Sequence, residues 1–152
     1  MLKPEIKQKW IEALRSGQYQ QITEGLHRVV NNCEGYCCLG VLCDISQLGS
    51  WSAVGNGEWY YYEGDDRSND YPPVTVVDAI LAEELQVESV SEEGIKVAEL
   101  KDPQGFAAAV QSLYFRKSIN VVENSRVFEC LATLNDNGAT FEQIADVIEK
   151  YL

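Results

Sequence analysis

Tyr36-Cys-Cys-Leu-Gly-Val-Leu-Cys-Asp-Ile-Ser-Gln-Leu48 is apolar on nearly every side. A run of this kind reads as a helix buried all round, at the centre of a domain. Gly40 inside it costs about 1 kcal/mol against Ala in helix propensity. The expected compensation is the close approach of another backbone. Cys38 falls on the face shared with Leu42 and Ile45, so its thiol reads as a small apolar side chain.

Upstream of this run, Pro4 is a favourable first-turn residue. Ile6, Trp10, Ala13 and Leu14 recur at helical spacing until Gly17, which predicts a helix over residues 4–16. Tyr19 to Val30 is ambiguous. Gly25 and the β-branched Val29-Val30 favour a short extended stretch, with Asn31-Asn32 as a turn. Downstream, residues 49–72 read as irregular apart from the aromatic strand Glu58-Trp-Tyr-Tyr-Tyr62, and Asp65 to Asp70 as a polar loop. Pro72-Pro73 introduce a helix over residues 74–86, with Val77, Leu81 and Leu85 on one face. Gly94 to Leu100 fits a strand or a helix start, and Phe106 to Arg116 reads as helical.

The end of the chain reads as a helical hairpin. Val127, Leu131 and Leu134 share a face, and Gly138 supplies a left-handed stop. Thr140-Phe-Glu-Gln143 fits a capping box. Phe141, Ile144, Ala145, Ile148 and Leu152 then keep helical spacing. The last helix is expected to lie against the Tyr36–Leu48 helix. Together these elements predict an α+β fold, a mostly helical single domain over residues 1–152 with a small two- to three-stranded sheet built from the middle.

Composition narrows the class. The chain has 152 residues, 45% apolar, with 3 Trp, 8 Tyr and 4 Phe. That is enough to bury a core without metals or disulfides. No apolar stretch approaches the roughly 20 residues of a membrane-spanning helix, and the first residues lack a signal-peptide pattern. A soluble protein that stays in the cytoplasm is expected. The net charge is −12, from 12 basic and 24 acidic residues. Residues 51–100 hold 12 of the acidic groups and only two basic ones, Arg67 and Lys96. Phosphate binding needs Lys and Arg to displace counterions, so neither nucleic acid nor an anionic membrane suits this chain. A basic protein surface does, although a carboxylate-rich third also serves simply to solubilise. The five cysteines are Cys33, Cys37, Cys38, Cys43 and Cys130. Their odd number and crowded spacing match neither a disulfide framework nor a zinc site, so reduced structural thiols are expected.

At Tyr36-Cys-Cys-Leu-Gly-Val-Leu-Cys-Asp44 and Leu131-Ala-Thr-Leu-Asn-Asp-Asn-Gly-Ala-Thr-Phe-Glu-Gln-Ile-Ala-Asp146 the chain resembles a family of small bacteriophage and prophage proteins. These pair an N-terminal helix and a Tyr-x-Gln segment (here Tyr19-Gln20-Gln21) with a Cys-Cys-Leu-Gly helix. They close with Leu-Asn-Asp-x-Gly and a Phe-x-x-Ile-Ala-Asp helix. Order and spacing match over residues 5–85 and 125–152, and residues 95–124 look like a family-variable insertion. The resemblance implies a phage origin and an accessory role inside a bacterial host cell. It carries no reaction and no ligand.

The candidate chemistries are few. A thiol enzyme would combine Cys37 or Cys38 with His27 and with Asn135 or Asp136. His27 is the sole histidine, reads as a surface position and lies outside the family motifs. Dinucleotide, phosphate-loop, zinc-protease and nucleophile-elbow signatures do not occur, so no cofactor or metal is expected and a non-enzymatic role is favoured. Asn135-Asp136-Asn137-Gly138 has one carboxylate where a calcium loop needs several, and fits a helix end. A smaller alternative sends Asn135 and Asp136 toward Tyr19, Gln21 and Tyr36 as the polar lining of a ligand cleft. In the aromatic strand, Trp59 and Tyr61 point one way and Tyr60 and Tyr62 the other. Trp59, Tyr60 and Tyr62 with Glu63, Asp65, Asp66 and Asp70 form the candidate interaction surface.

The leading expectation is a phage accessory protein that binds and antagonises a host factor, in host takeover or anti-defence. One alternative is an oligomer that sequesters a nucleotide-like small molecule, with Arg28, Arg67 or Arg116 facing the phosphate. The other is an acidic decoy that imitates DNA.

Overall fold

The computed structural model describes residues 2–80 and 131–152. The expectations for Leu81 to Cys130, including the Phe106–Arg116 helix, Val127, Arg116 and the insertion over residues 95–124, lie outside them. Helix α1 runs Pro4–Arg15, opened by Pro4. It is followed by strands β1 (His27–Val30) and β2 (Cys33–Tyr36). Helix α2 (Cys38–Ser46) leads to β3 (Ser50–Gly55), β4 (Glu58–Glu63) and β5 (Asp66–Ser68). Helix α3 covers Val74–Ile80, residues 131–136 are helical, and α4 covers Phe141–Tyr151.

The central helix is shorter than its apolar run. Tyr36 ends β2, and Cys37 caps α2 by accepting the Gly40 N–H on its sulfur at 3.4 Å. At the other end Gln47 turns left-handed (φ 54°) and Leu48 is exposed. Gly40 meets the backbone that its position called for. A Cβ there would stand 1.8 Å from the Leu26 carbonyl oxygen, so no larger residue fits.

The five strands among the described residues form one antiparallel sheet, in the order β2-β1-β4-β3 with β5 also on β4. The expectation of a mostly helical domain with two or three strands is therefore corrected, although the α+β class stands. Residues 49–72, read as irregular apart from the aromatic strand Glu58–Tyr62, hold that strand as β4 and two more, β3 and β5, the last of them Asp66–Ser68 of the expected polar loop. The cause is turn geometry rather than strand propensity. Asn31-Asn32 and Asn56-Gly57 carry positive φ at both turn positions, which two-residue type I′ hairpins require. Gly64-Asp65 joins β4 to β5 with Gly64 at φ +56°.

The helices pack differently from expectation too. α1 is the main neighbour of α4 and also packs against α2. Trp10 of α1 is fully buried and donates from Nε1 to the Cys38 carbonyl at 2.9 Å. Arg15 reaches Glu142, Asp146 and Glu149 along α4. The capping box is in place: Thr140 Oγ1 accepts the Gln143 N–H at 3.3 Å, and Gln143 Oε1 accepts the Thr140 N–H at 2.9 Å. Ile144, Ala145 and Ile148 face the core with Leu131 and Leu134.

Candidate functional site

The sheet has two unlike faces, and alternation along β4 assigns its residues to them. Tyr61 is buried on the face turned to α2, where its hydroxyl accepts the Gly49 N–H at 2.7 Å and lies 3.2 Å from Ser46 Oγ. On the same face His27, paired across the ladder with Tyr36, stacks on the Tyr36 ring at 4.0 Å and on Trp59 at 4.8 Å. Trp51 meets the imidazole edge-on at 5.0 Å. The ring is thus enclosed by aromatics, and neither of its nitrogens has a hydrogen-bond partner. Burial lowers its pKa below the ordinary histidine value, with Glu34 and Asp44 opposing the shift. Asp44 anchors the rim of this cluster. Its Oδ2 accepts the Tyr19 hydroxyl at 2.6 Å and its Oδ1 accepts Trp51 Nε1–H at 3.0 Å. Burial pushes the Tyr36 phenol up to about 12 and raises that of Tyr19.

Tyr60 and Tyr62 occupy the opposite face, half-buried, with ring centroids 6.5 Å apart. The Arg67 guanidinium lies 5.6 Å from the Tyr60 ring centre, a cation–π arrangement. Glu63 is half-buried, while Asp65 and Asp66 are exposed in the adjoining turn and β5. The expected interaction surface is therefore divided. Trp59 belongs to the inner stack with His27, and both also line a small cleft of about 200 Å³ together with Asp70, Glu24, Arg28 and Glu58. Only Tyr60, Tyr62, Glu63, Asp65 and Asp66 remain with the β4–β5 hairpin.

The alternative cleft is assembled in part. Gln21 Nε2 donates to Asn135 Oδ1 at 2.9 Å and to the Ala139 carbonyl at 2.8 Å. Gln21 Oε1 accepts the Phe141 N–H. Asn135, fully buried, also accepts the Cys38 N–H and donates to the Ile22 carbonyl. Asp136 accepts the Glu24 N–H at 3.1 Å. These side chains tie the terminal hairpin to the chain before β1 and to the start of α2. A cleft of about 580 Å³ opens beside them, lined by Gln21, Asn135, Arg28 and Thr140. Tyr19 and Tyr36 stand away from it, in the aromatic cluster, with their rings edge-to-face at 5.2 Å.

With these motifs in place, the chain can be compared with known proteins. The sequence matches the family described as Domain of unknown function (DUF8296) over residues 2–152. The chain belongs to that family. No curated protein and no solved structure matches it.

In this family member the thiol-enzyme constellation is not assembled among the described residues. Cys37, Cys38 and Cys43 are buried free thiols, and Cys33 is exposed. Burial pushes the Cys37 thiol up to about 11 and raises Cys38 and Cys43 further from reactivity. His27 makes no hydrogen bond to any of them. It is buried, not the surface residue the sequence suggested. No group of three His, Cys, Asp or Glu among the described residues is placed to hold a metal ion. No helix among them is long and apolar enough to cross a membrane. Asp44 escaped the sequence reading although a signal existed: it is the only charged residue in the Tyr36–Leu48 run. A lone carboxylate in an apolar helix needs donors, and Tyr19 and Trp51 supply them.

Proposed function

We propose that this protein is a non-enzymatic accessory protein of phage origin that binds and antagonises a host protein in the bacterial cytoplasm, using the outer face of its sheet. The phage origin rests on the resemblance of the Cys-Cys-Leu-Gly and Leu-Asn-Asp-x-Gly segments. The observation that carries the binding reading is the placement of Tyr60 and Tyr62 side by side on that face beside Arg67, with the carboxylates of Glu63, Asp65 and Asp66 in the same β4–β5 hairpin. Tyrosines offer large contact area at small entropic cost. The carboxylates steer a basic partner, but exposed ion pairs contribute only about 0–1 kcal/mol each.

The test is affinity capture from an infected host with the wild type, Tyr60→Ala, Tyr62→Ala and the double variant Asp65→Asn/Asp66→Asn. The tyrosine variants are expected to lose the partner more than the double carboxylate variant, and high salt to weaken capture. A partner held equally by all four proteins and at high salt refutes the reading. The cleft beside Arg28 supports a second reading, a small nucleotide-like ligand, because its volume of about 580 Å³ suits one and a cation lines it. Nucleotides released from the purified protein by heat would favour it over the first.

A further inference from the structure

Glycine follows asparagine twice in this chain, at Asn56-Gly57 and at Asn137-Gly138. Asparagine is thermally labile, and a following glycine leaves the next backbone nitrogen sterically open. The fold treats the two pairs differently. Asn137 follows the helix over residues 131–136, and its side-chain amide donates to the Thr133 carbonyl at 2.8 Å. The Gly138 N–H donates to the Asn135 carbonyl at 3.1 Å. Both groups that would have to react are thus tied into the helix end. Asn56-Gly57 instead forms the two-residue turn between β3 and β4, closed by the pairing of Gly55 with Glu58. Asn56 is exposed, and its side-chain amide has no hydrogen bond among the described residues. The Gly57 carbonyl is anchored by the Val29 N–H at 2.7 Å.

We propose that Asn56 is a site of self-modification, where the turn between β3 and β4 converts the asparagine to aspartate and isoaspartate while Asn137 is protected. The turn type supplies the geometry. Asn56 and Gly57 have φ of 53° and 77°, the signs of a type I′ turn. A type II′ turn, with ψ about −120° at its first central residue and φ about −80° at its second, differs by a flip of the one peptide between them. Glycine takes either sign of φ, so Gly57 permits the flip while its carbonyl stays on Val29 and the strands keep their register. The flip swings the Gly57 nitrogen to the Cβ side of Asn56, where attack on Cγ closes a five-membered ring. A C–N bond forms there, the bond from Cγ to the side-chain nitrogen breaks, and the proton lost from Gly57 leaves with that nitrogen as ammonia. Water then opens the cyclic imide at either carbonyl, giving aspartate or isoaspartate, with no change of oxidation state. Either product adds one negative charge to the net −12. Asp-Gly suits a type I′ turn. Isoaspartate lengthens the main chain by one methylene, no longer fits a two-residue loop, and releases β3 from β4. The site stands apart from the binding function proposed above.

The test incubates the full chain in mildly alkaline buffer, folded and in urea, and follows the amide-to-acid mass gain at both asparagines by peptide mapping. In the folded protein Asn56 should convert at least about tenfold faster than Asn137, because the hydrogen bonds at Asn137 and Gly138 must break before reaction. In urea the two rates should converge, since the fold then protects neither. Asn56→Gln, whose longer side chain cannot close the five-membered ring, should keep its amide. Hydrogen exchange reads the consequence: the isoaspartyl chain, separated by chromatography, should lose protection in β3, whereas Asn56→Asp should retain it. An Asn56 that keeps its amide in the folded protein, or an Asn137 that converts as fast, overturns the proposal. An acid product without isoaspartate overturns the cyclic-imide route, and an isoaspartyl chain with β3 fully protected overturns the release of that strand.

Discussion

Replacing His27 with Phe is expected to stabilise the protein, and to do so more at acid pH than at neutral pH. The imidazole is 3% exposed, lies between Tyr36 and Trp59, and has no hydrogen-bond partner for either nitrogen. Folding strips water from these nitrogens and returns nothing, a cost of about 1–3 kcal/mol. A phenyl ring keeps both stacking contacts and removes that cost. Its slightly larger volume opposes the gain, since overpacking a dense site is itself unfavourable by about 1–3 kcal/mol. The net change at neutral pH should therefore be small and stabilising, about 1 kcal/mol, or roughly 2–4 °C in melting temperature for a chain of this size. The pH dependence is the sharper readout. The folded pKa is lowered from 6.5 by burial. Above 6.5 the ring is neutral in both states and contributes no slope. As pH falls through 6.5 the unfolded chain binds a proton that the folded chain resists, so the wild type loses stability. Between pH 7.5 and 5.5 this loss reaches at most about 1.4 kcal/mol. Glu34 and Asp44 favour the protonated ring and make that figure a ceiling. Urea denaturation of both proteins at the two pH values measures it. A Phe variant less stable at neutral pH, or a gap between the proteins that does not widen on acidification, would refute the reasoning.

Asn135→Ala should cost about 3 kcal/mol in the same assay, because it strands the Cys38 N–H, the Ile22 carbonyl and one donor of Gln21 at once; a loss below 1 kcal/mol would mean that water replaces the side chain. Arg15→Ala removes the contacts to Glu142, Asp146 and Glu149, so it should lower the melting temperature at low salt, with the difference shrinking in about 1 M salt as screening shortens the reach of the charges. Among the four described thiols, Cys33 should react with a maleimide in the native state, while Cys37, Cys38 and Cys43 should react only on unfolding; mass spectrometry of labelled peptides would show this, and native labelling at Cys38 would contradict its burial.

What could be read from the sequence was what acts within a turn or two of chain. Pro4 and the Thr140–Gln143 box set the starts of α1 and α4, and Gly138 the end of the helix over residues 131–136, through neighbouring backbone groups. The Asn31-Asn32 turn was legible for the same reason, and Gly40 announced a close backbone without naming it as Leu26. Asn56-Gly57 carried an equally local hairpin signal, which the acidic and glycine-rich surroundings masked. β3 was invisible to propensity because Ser, Ala and Gly have little preference for strands; it exists because that turn folds it onto the aromatic β4.

Tertiary structure decided the rest. Apolar faces on α2 and α4 do not say which helix each will meet, and the answer, α1, depends on the depth of Trp10 and the reach of Arg15. The burial of His27 depends on Tyr36 and Trp59 arriving from two other strands. The division of the expected interaction surface depends on the pleat of β4, which sends Trp59 inward and Tyr60 and Tyr62 outward. The pattern of residue types is inherited from the chain, but which groups lose their water is settled only when segments distant in sequence close over them.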